Sequence, residues 1–294
     1  MPPVNDLIKR ILPASLYPVI RDLPYTLKDR GPQGLDEAMD IPIPKLRDQF
    51  DGERGYAVFD KNGREAFEFY RSVLGIRPDW KVLDLGSGIG RKTRPLVRFI
   101  NDEGLYVGLD IDERGIKWCS NNLSPINPRL VFFRLNVYNS FYNPSGKIKA
   151  DNIVLPFADN GFDMTVLWSV FTHMHEADIA RYLVEISRIL KPGGKIASSF
   201  LILNDQSKER IASGNTKLRL THPLPGGHSC TNNPNVPEDA IAVDEDWLRQ
   251  TYISAGLVIR EPIMFGAWSG NRIDQKYSNL NYQDIVVAER PLVD

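Results

Sequence analysis

The residues best suited to chemistry open a short stretch at positions 82–90, Val-Leu-Asp-Leu-Gly-Ser-Gly-Ile-Gly. An apolar run ends there in Gly86, Gly88 and Gly90, with Ser87 between the first two. Glycine tolerates unusual backbone angles and lets a ligand approach closely. Free N–H groups at the start of a following helix are expected to face that ligand. Two ligands compete for such a turn. A dinucleotide places its pyrophosphate there and favours G-x-G-x-x-G, whereas the spacing here is G-x-G-x-G. Asp84 also arrives just ahead of the glycines. A carboxylate repels a pyrophosphate and attracts the ammonium and sulfonium of S-adenosylmethionine, so charge favours the methyl donor. Asp110 ends the next strand-like run, where an acidic side chain accepts both ribose hydroxyls of a nucleoside. Asp112 reads instead as the cap of the helix that follows.

Histidines supply the remaining candidates. His173 and His175 lie in Phe-Thr-His-Met-His-Glu, after the fourth strand-like run. His173 suits a general base for a hydroxyl acceptor; its alternative is a structural loop histidine, and that of His175 an exposed residue at a helix start. His222, His228 and Cys230 are ligand types, but their spacing matches no standard metal site, and no metal is expected. Tyr282 and Asp284, at the entry to the last strand, either reach the pocket or pack at a strand edge.

The elements that must position these groups follow from periodicity. Residues 63–74 carry apolar side chains at helical spacing, and 81–85 is a buried strand running into the glycines. Residues 93–100 read as a helix with Pro95 in its first turn, 105–109 as a second strand and 113–123 as a helix. Strands follow at 130–135 and 162–168. The helix over 176–190 stops at Lys191-Pro192-Gly193-Gly194, and 195–203 is a fifth strand. Alternating strands and helices imply a parallel sheet that binds ligands at its carboxyl ends.

Around this stretch lie a proline-rich N-terminal arm at 1–59 and a polar, turn-rich segment at 203–243, read as a lid inserted into a domain spanning 60–294. The arm mixes leucines and isoleucines with lysines and arginines, which fits a cap over the cofactor pocket or a dimer contact, with peripheral contact with an anionic membrane as the alternative. The 294-residue chain is 42% hydrophobic and carries a net charge of -1, so nothing global points to nucleic acid. Its cysteines, Cys119 and Cys230, form no CxxC pair. With no apparent signal peptide or spanning segment, a cytoplasmic location is the expectation.

Val-Leu-Asp-Leu-Gly-Ser-Gly-Ile-Gly resembles motif I of class I S-adenosylmethionine-dependent methyltransferases. Gly-Leu-Asp-Ile, the stretch LPFADNGFDMTVLWSVFTHM and the stretch YLVEISRILKPGGKIASSF resemble the later motifs, in family order and spacing. The resemblance covers about residues 67–200, with a weaker echo in YQDIVVAER. It implies a doubly wound Rossmann-like α/β fold, a seven-stranded mixed sheet with helices on both faces, completed by antiparallel strands at 257–265 and 285–289. It implies that Gly86, Ser87, Gly88 and Gly90 line the amino-acid end of the cofactor. Asp110 and Ile111 would lie at the ribose, Asn136 and Val137 near adenine, and Trp168 and Ser169 at the methionine portion. Asn136 stands where the family often has an acidic residue, but keeps an acceptor oxygen.

The expectation is therefore a methyltransferase using S-adenosylmethionine, acting on an oxygen of a small molecule or glycan. The alternatives are a nicotinamide-dependent oxidoreductase and a non-catalytic subunit that holds the cofactor for a partner.

Overall fold

The computed structural model describes residues 20–21, 56–271, 277 and 280–292. The N-terminal arm expected over 1–59 thus lies almost wholly outside the described residues. The chain divides into two units, one running to Asn136 and including 156–158, the other holding the remainder.

In the first unit, helix α1 (Tyr56–Phe69) buries Phe59, Asn62, Ala66 and Phe69. Their three- and four-residue spacing puts them on one face. A π-helical turn, Tyr70–Leu74, ends it at Gly75, whose φ of 69° closes the helix in the left-handed region. The unit's strands are β1 (Ile20–Arg21), β2 (Lys81–Leu85), β3 (Leu105–Asp110) and β4 (Leu130–Leu135), in spatial order β1-β4-β3-β2. β2, β3 and β4 are parallel, and β1 pairs antiparallel with β4. β2 and β3 are buried almost throughout, as strands covered on both faces are. β1 adds a strand that the proline-rich arm did not suggest. The helix expected at 93–100 is a shorter 3-10 turn, Arg94–Arg98, with Pro95 in its first positions. Helix α2 (Glu113–Asn122) is capped by Asp112, whose carboxylate accepts from the Arg114 N–H.

In the second unit, β5 (Phe162–Leu167) and β6 (Leu190–Phe200) are parallel, and helix α3 (Glu176–Ile189) connects them. The helix ends where the Lys-Pro-Gly-Gly breaker predicts. The breaker, however, joins β6: pairing shifts register between Phe162 and Met164, and Gly193 takes a φ of 76°. The breaker is thus absorbed as a bulge in the strand. Between β6 and the last strands runs the expected insertion. It is a small sheet rather than a loop. β7 (Ile202–Leu203), β8 (His222–Pro223), β9 (Ser229–Thr231) and β10 (Ile241–Asp244) lie in the order β7-β10-β9-β8, with helix α4 (Asp205–Ala212) after β7. Leu203, Leu220, Ala240 and Ala242 bury themselves there with Leu201 and Trp268 in a core of their own. Helix α5 (Glu245–Ser254) leads to β11 (Val258–Ile259), and β12 (Asp284–Glu289) pairs antiparallel with both β11 and β6. β2, β3 and β4 in the first unit and β5, β6, β12 and β11 in the second supply the seven strands expected of a Rossmann-like α/β mixed sheet.

Candidate active site

The chain leaves β2 at Leu85 and turns sharply at Gly86, Gly88 and Gly90, all with positive φ. Gly90 is fixed by more than its φ of 75°: a Cβ there would stand 2.7 Å from Leu123 Cδ1 and 3.0 Å from Cys119 Sγ. Four of the turn's N–H groups are committed to the protein. Gly86 and Ser87 donate to the Leu109 carbonyl at 2.7 and 3.1 Å, Gly88 to Asp110 Oδ2 at 2.7 Å, and Gly90 to the Ser87 carbonyl at 3.0 Å. These four donors of the turn itself therefore do not face a ligand. A 3-10 turn follows the loop instead of a long α-helix, and the backbone donors turn inward. Such a loop offers little to a pyrophosphate, whose recognition depends on free N–H groups.

The acidic groups are arranged around that turn. Asp84 is buried in β2, and Tyr106 from the neighbouring strand donates its hydroxyl to Asp84 Oδ2 at 2.5 Å. The Tyr106 oxygen is also 2.6 Å from the Thr93 hydroxyl, completing a buried chain from loop to carboxylate. Asp84 Oδ1 has no partner, and neither have the buried Ser87 Oγ and Asn136 Oδ1. Burial pushes the Asp84 carboxyl up to about 6, against the pull of the Tyr106 hydrogen bond and of Lys92. Asp110, at the end of β3, braces the turn. Its Oδ2 takes the Gly88 N–H, and its Oδ1 the Asp112 N–H at 2.8 Å. Burial raises it to about 6 as well, and the two backbone hydrogen bonds hold it down. Each oxygen retains a lone pair for a further donor. Ile111 follows, its carbonyl accepting from Arg134.

Asp84 Oδ1 and Ser87 Oγ at the glycine turn, and Asn136 Oδ1 just after β4, are uncompensated buried atoms, costly unless a ligand partners them. Gly108 is packed tightly beside the turn: a Cβ there would come within 2.5 Å of the Phe132 ring and 3.0 Å of Ser87 Oγ. Acceptors, carboxylates and an inward-facing backbone suit a ligand that brings cations, an amine and hydroxyl donors. S-adenosylmethionine has all three.

In the second unit, Val137 is buried and bridges to Ile148, and Trp168 is buried at the end of β5. Ser169 is exposed and stands in the left-handed region with φ 58°. Its N–H donates to Ser199 Oγ at 2.7 Å, and both hydroxyls donate to Gln283 Oε1, at 3.0 and 2.6 Å. Such a backbone persists where surrounding bonds over-determine it, and it clusters at functional sites. His173 is half-buried in a 3-10 turn, Phe171–His173, with Nδ1 2.8 Å from the Glu238 carbonyl. That acceptor fixes the proton on Nδ1 and leaves Nε2 as the basic nitrogen. Burial lowers the His173 pKa, opposed by the Glu238 hydrogen bond, so the ring is neutral near pH 7. His175 caps α3 through Asp178, as its helix-start reading requires.

Tyr106, Thr93, Gln283, Ser199 and Glu238 were missed in the sequence. Tyr106 alternates with Gly108 and Asp110 along one strand, a period-two signal available in principle. The others meet their partners from distant segments and leave no local signature. Asp284 proves internal. Its carboxylate accepts from the Gly266 and Ile202 N–H groups and from Trp268 Nε1, at 2.6–2.7 Å, tying β12 to β7 and the 267–269 turn. His222 lies on β8, His228 stacks on Trp247 and Cys230 is half-buried. Among the described residues no group of three or more such ligands gathers for a metal.

Residues 83–198 match the methyltransferase domain family. A ubiquinone/menaquinone biosynthesis C-methyltransferase, UbiE, of Wigglesworthia glossinidia brevipalpis is 34% identical over 119 residues, 40% of this chain and 42% of that protein. A sterol 24-C-methyltransferase, ERG6B, of Gibberella zeae is 32% identical over 41% of this chain and 27% of its own length. The chain thus spans less than half the length of these curated relatives. Among solved structures, the PH0226 protein of Pyrococcus horikoshii aligns with a TM-score of 0.52 at 14% identity, covering 88% of this chain and all of that one. The [4+2]-cyclase SpnF aligns at 0.50 and 15% identity, over 79% and 82%. The fold is therefore shared by a protein named for different chemistry, so the fold alone names no reaction. What the sequence match carries is the segment at 83–198, which holds the glycine turn and is similar to the methyltransferase domain family.

Proposed function

We propose that the protein is an S-adenosylmethionine-dependent methyltransferase acting on a carbon of a small apolar acceptor. The observation that carries the cofactor reading is the acidic glycine turn. Four of its N–H groups are spent on Leu109, Asp110 and Ser87, while Asp84 Oδ1, Ser87 Oγ and Asn136 Oδ1 lack partners. A nicotinamide dinucleotide would bring a pyrophosphate to that turn and gain little. When bound, S-adenosylmethionine supplies an electrophilic methyl group on a cationic sulfur. Asp84 and the Gly86–Gly90 turn would hold its amino-acid end, Asp110 its ribose hydroxyls and Asn136 its adenine amine. The family resemblance adds Ile111, Val137, Trp168 and Ser169 to that set. Calorimetry tests this directly: S-adenosylhomocysteine binds and NADH does not. Binding of NADH alone overturns the reading.

The choice of carbon rests on the relatives, which are named as C-methyltransferases of quinone and sterol compounds. The oxygen acceptor expected from the sequence, glycan included, draws no support from those names. One observation keeps an oxygen acceptor as the second reading. A neutral His173 with a basic Nε2 is suited to take a hydroxyl proton as the methyl group arrives. The same base serves a carbon acceptor by removing the proton the methylated carbon loses. Transfer of a deuterated methyl group, followed by NMR of the product, distinguishes a C–CD3 from an O–CD3. Failure of any acceptor to turn over, with cofactor bound, favours the non-catalytic partner subunit.

A further inference from the structure

The second unit carries a surface feature beside His173, where the Tyr142 ring meets the imidazole edge to face with centroids 5.3 Å apart, whose outward side methyl transfer does not explain. After β4 the chain makes a turn whose tip presents Tyr138, Phe141 and Tyr142 at 45%, 55% and 45% exposure. Exposing one aromatic side chain is ordinary; three in five residues form a patch of the kind that marks an interaction surface. The turn is also built to hold them outward. Asn139 and Asn143 exchange backbone hydrogen bonds at 3.3 and 3.0 Å. Asn139 Oδ1 accepts from the Phe141 and Tyr142 N–H groups at 3.0 and 2.8 Å. The buried Asn143 amide donates to the Val137 carbonyl at 2.7 Å, and Tyr138 donates to the Ile148 carbonyl at 2.8 Å. At Gly146 a Cβ would lie 2.3 Å from the Val137 carbonyl oxygen, so the neck is drawn tight. Phe141 and Tyr142 meet edge to face, with ring centroids 4.8 Å apart.

Charge identifies the counterpart. Residues 137–150, VYNSFYNPSGKIKA, contain Lys147 and Lys149 and no Asp or Glu, a local charge of +2 in a chain of net charge -1. Both lysines are exposed. Tyrosine has an apolar ring and a wet hydroxyl, and is enriched where hydrocarbon meets headgroups. Lysines beside such rings complement anionic lipid headgroups. A nucleic-acid strand would instead require a basic groove, and these rings stand at the tip of a tight turn. We propose that this aromatic turn docks the protein on an anionic bilayer surface, with Tyr138 and Phe141 entering the interface and Lys147 and Lys149 facing lipid phosphates. The proposal does not depend on the methyl-transfer reading, and it assigns membrane contact to this turn rather than to the arm at 1–59.

Co-sedimentation of the full chain with vesicles tests it, using phosphatidylcholine alone and phosphatidylcholine mixed with phosphatidylglycerol. The wild type is expected in the pellet with the anionic vesicles and largely in the supernatant with the neutral ones. Y138S/F141S should reduce partitioning by about tenfold or more, since two rings leave the interface. K147E/K149E changes only exposed lysines, so it retains the fold and should erase the preference for phosphatidylglycerol. Circular-dichroism melts accompany both variants, and the lysine pair decides the matter if the serine pair melts early. A wild type that stays in the supernatant overturns the proposal. So does a lysine variant that still prefers phosphatidylglycerol, or a folded serine variant that pellets like the wild type, which would assign binding to another surface. Binding of polyuridylate in place of vesicles would assign the patch to nucleic acid.

Discussion

At the scale of single residues, the site depends on how two carboxylates are partnered. Asp110 does two jobs: it holds the glycine turn through the Gly88 N–H and retains lone pairs for a ligand. Asp110→Ala should weaken S-adenosylhomocysteine binding by about 1–3 kcal/mol, read by calorimetry. It should also lower the melting temperature, because the Gly88 and Asp112 N–H groups lose their acceptor. An unchanged affinity would remove Asp110 from the site. Tyr106→Phe takes away the donor to Asp84 Oδ2. Leaving a buried carboxylate without it costs about 1–3 kcal/mol. The loss should be larger at pH 8 than at pH 5 in urea titrations, because only the ionised carboxylate depends on that donor.

The same pair sets a pH dependence for the ligand. Asp84 and Asp110 are both pushed up to about 6 by burial. A cationic, donor-rich cofactor favours their ionised forms. Affinity should therefore hold above that pH and fall below it, by up to about tenfold per pH unit for each group that must lose its proton. Calorimetry across pH 5 to 8, in buffers of different ionisation heat, should show protons released on binding at the acid end. A flat profile would contradict the placement of these carboxylates at the ligand.

At the scale of elements, the glycine turn and the insertion are the parts whose packing sets the site. Gly90→Ala combines a positive φ with a Cβ crowding Leu123 and Cys119. The left-handed backbone alone costs roughly 1–2 kcal/mol, and overpacking adds about 1–3 kcal/mol. A melting temperature within a degree or two of wild type would mean that the turn relaxes easily. The insertion at 203–243 carries β8 to β10 and buries Leu203, Leu220, Ala240 and Ala242 against Leu201 and Trp268. Excising it should therefore destabilise the protein strongly in a thermal melt, rather than merely remove a lid. Through Glu238 the insertion also orients His173, which links it to the proposed acceptor chemistry.

At the scale of the whole molecule, three carboxylates, the buried Asp84 and Asp284 and the half-buried Asp110, shape stability. Asp84 and Asp110 are raised to about 6 and Asp284 to about 7, in each case mainly by burial. A folded pKa above the unfolded value means that the native state holds the proton more tightly. Their contribution is thus fullest below about pH 4 and is lost as pH rises through 6 and 7. The ligand-free protein should lose stability between pH 4 and 7 on their account, and saturating S-adenosylhomocysteine should offset part of that loss at neutral pH. Urea titrations of the wild type and of Asp284→Asn over this range separate the contribution of Asp284 from that of the site pair.

Sequence alone determined the order of elements from β2 to β6, because hydrophobic period and turn chemistry are local. The glycine turn after β2, the Asp112 cap and the end of α3 at Ile189 all lie where residue types place them. It also determined the sign of the cofactor site, since Asp84 and Asp110 bring negative charge whatever the packing. Tertiary structure decided what those groups touch. Tyr106 reaches Asp84 only because β3 pairs in register with β2, and the turn's N–H groups point inward only because Leu109 and Asp110 stand beside them. The insertion looked like a loop because its strands are two to four residues long and broken by Pro and Gly, too short for any periodicity to show. Gln283 and Glu238 meet Ser169 and His173 across long stretches of chain. Such contacts are written in packing and backbone closure, which no local pattern encodes.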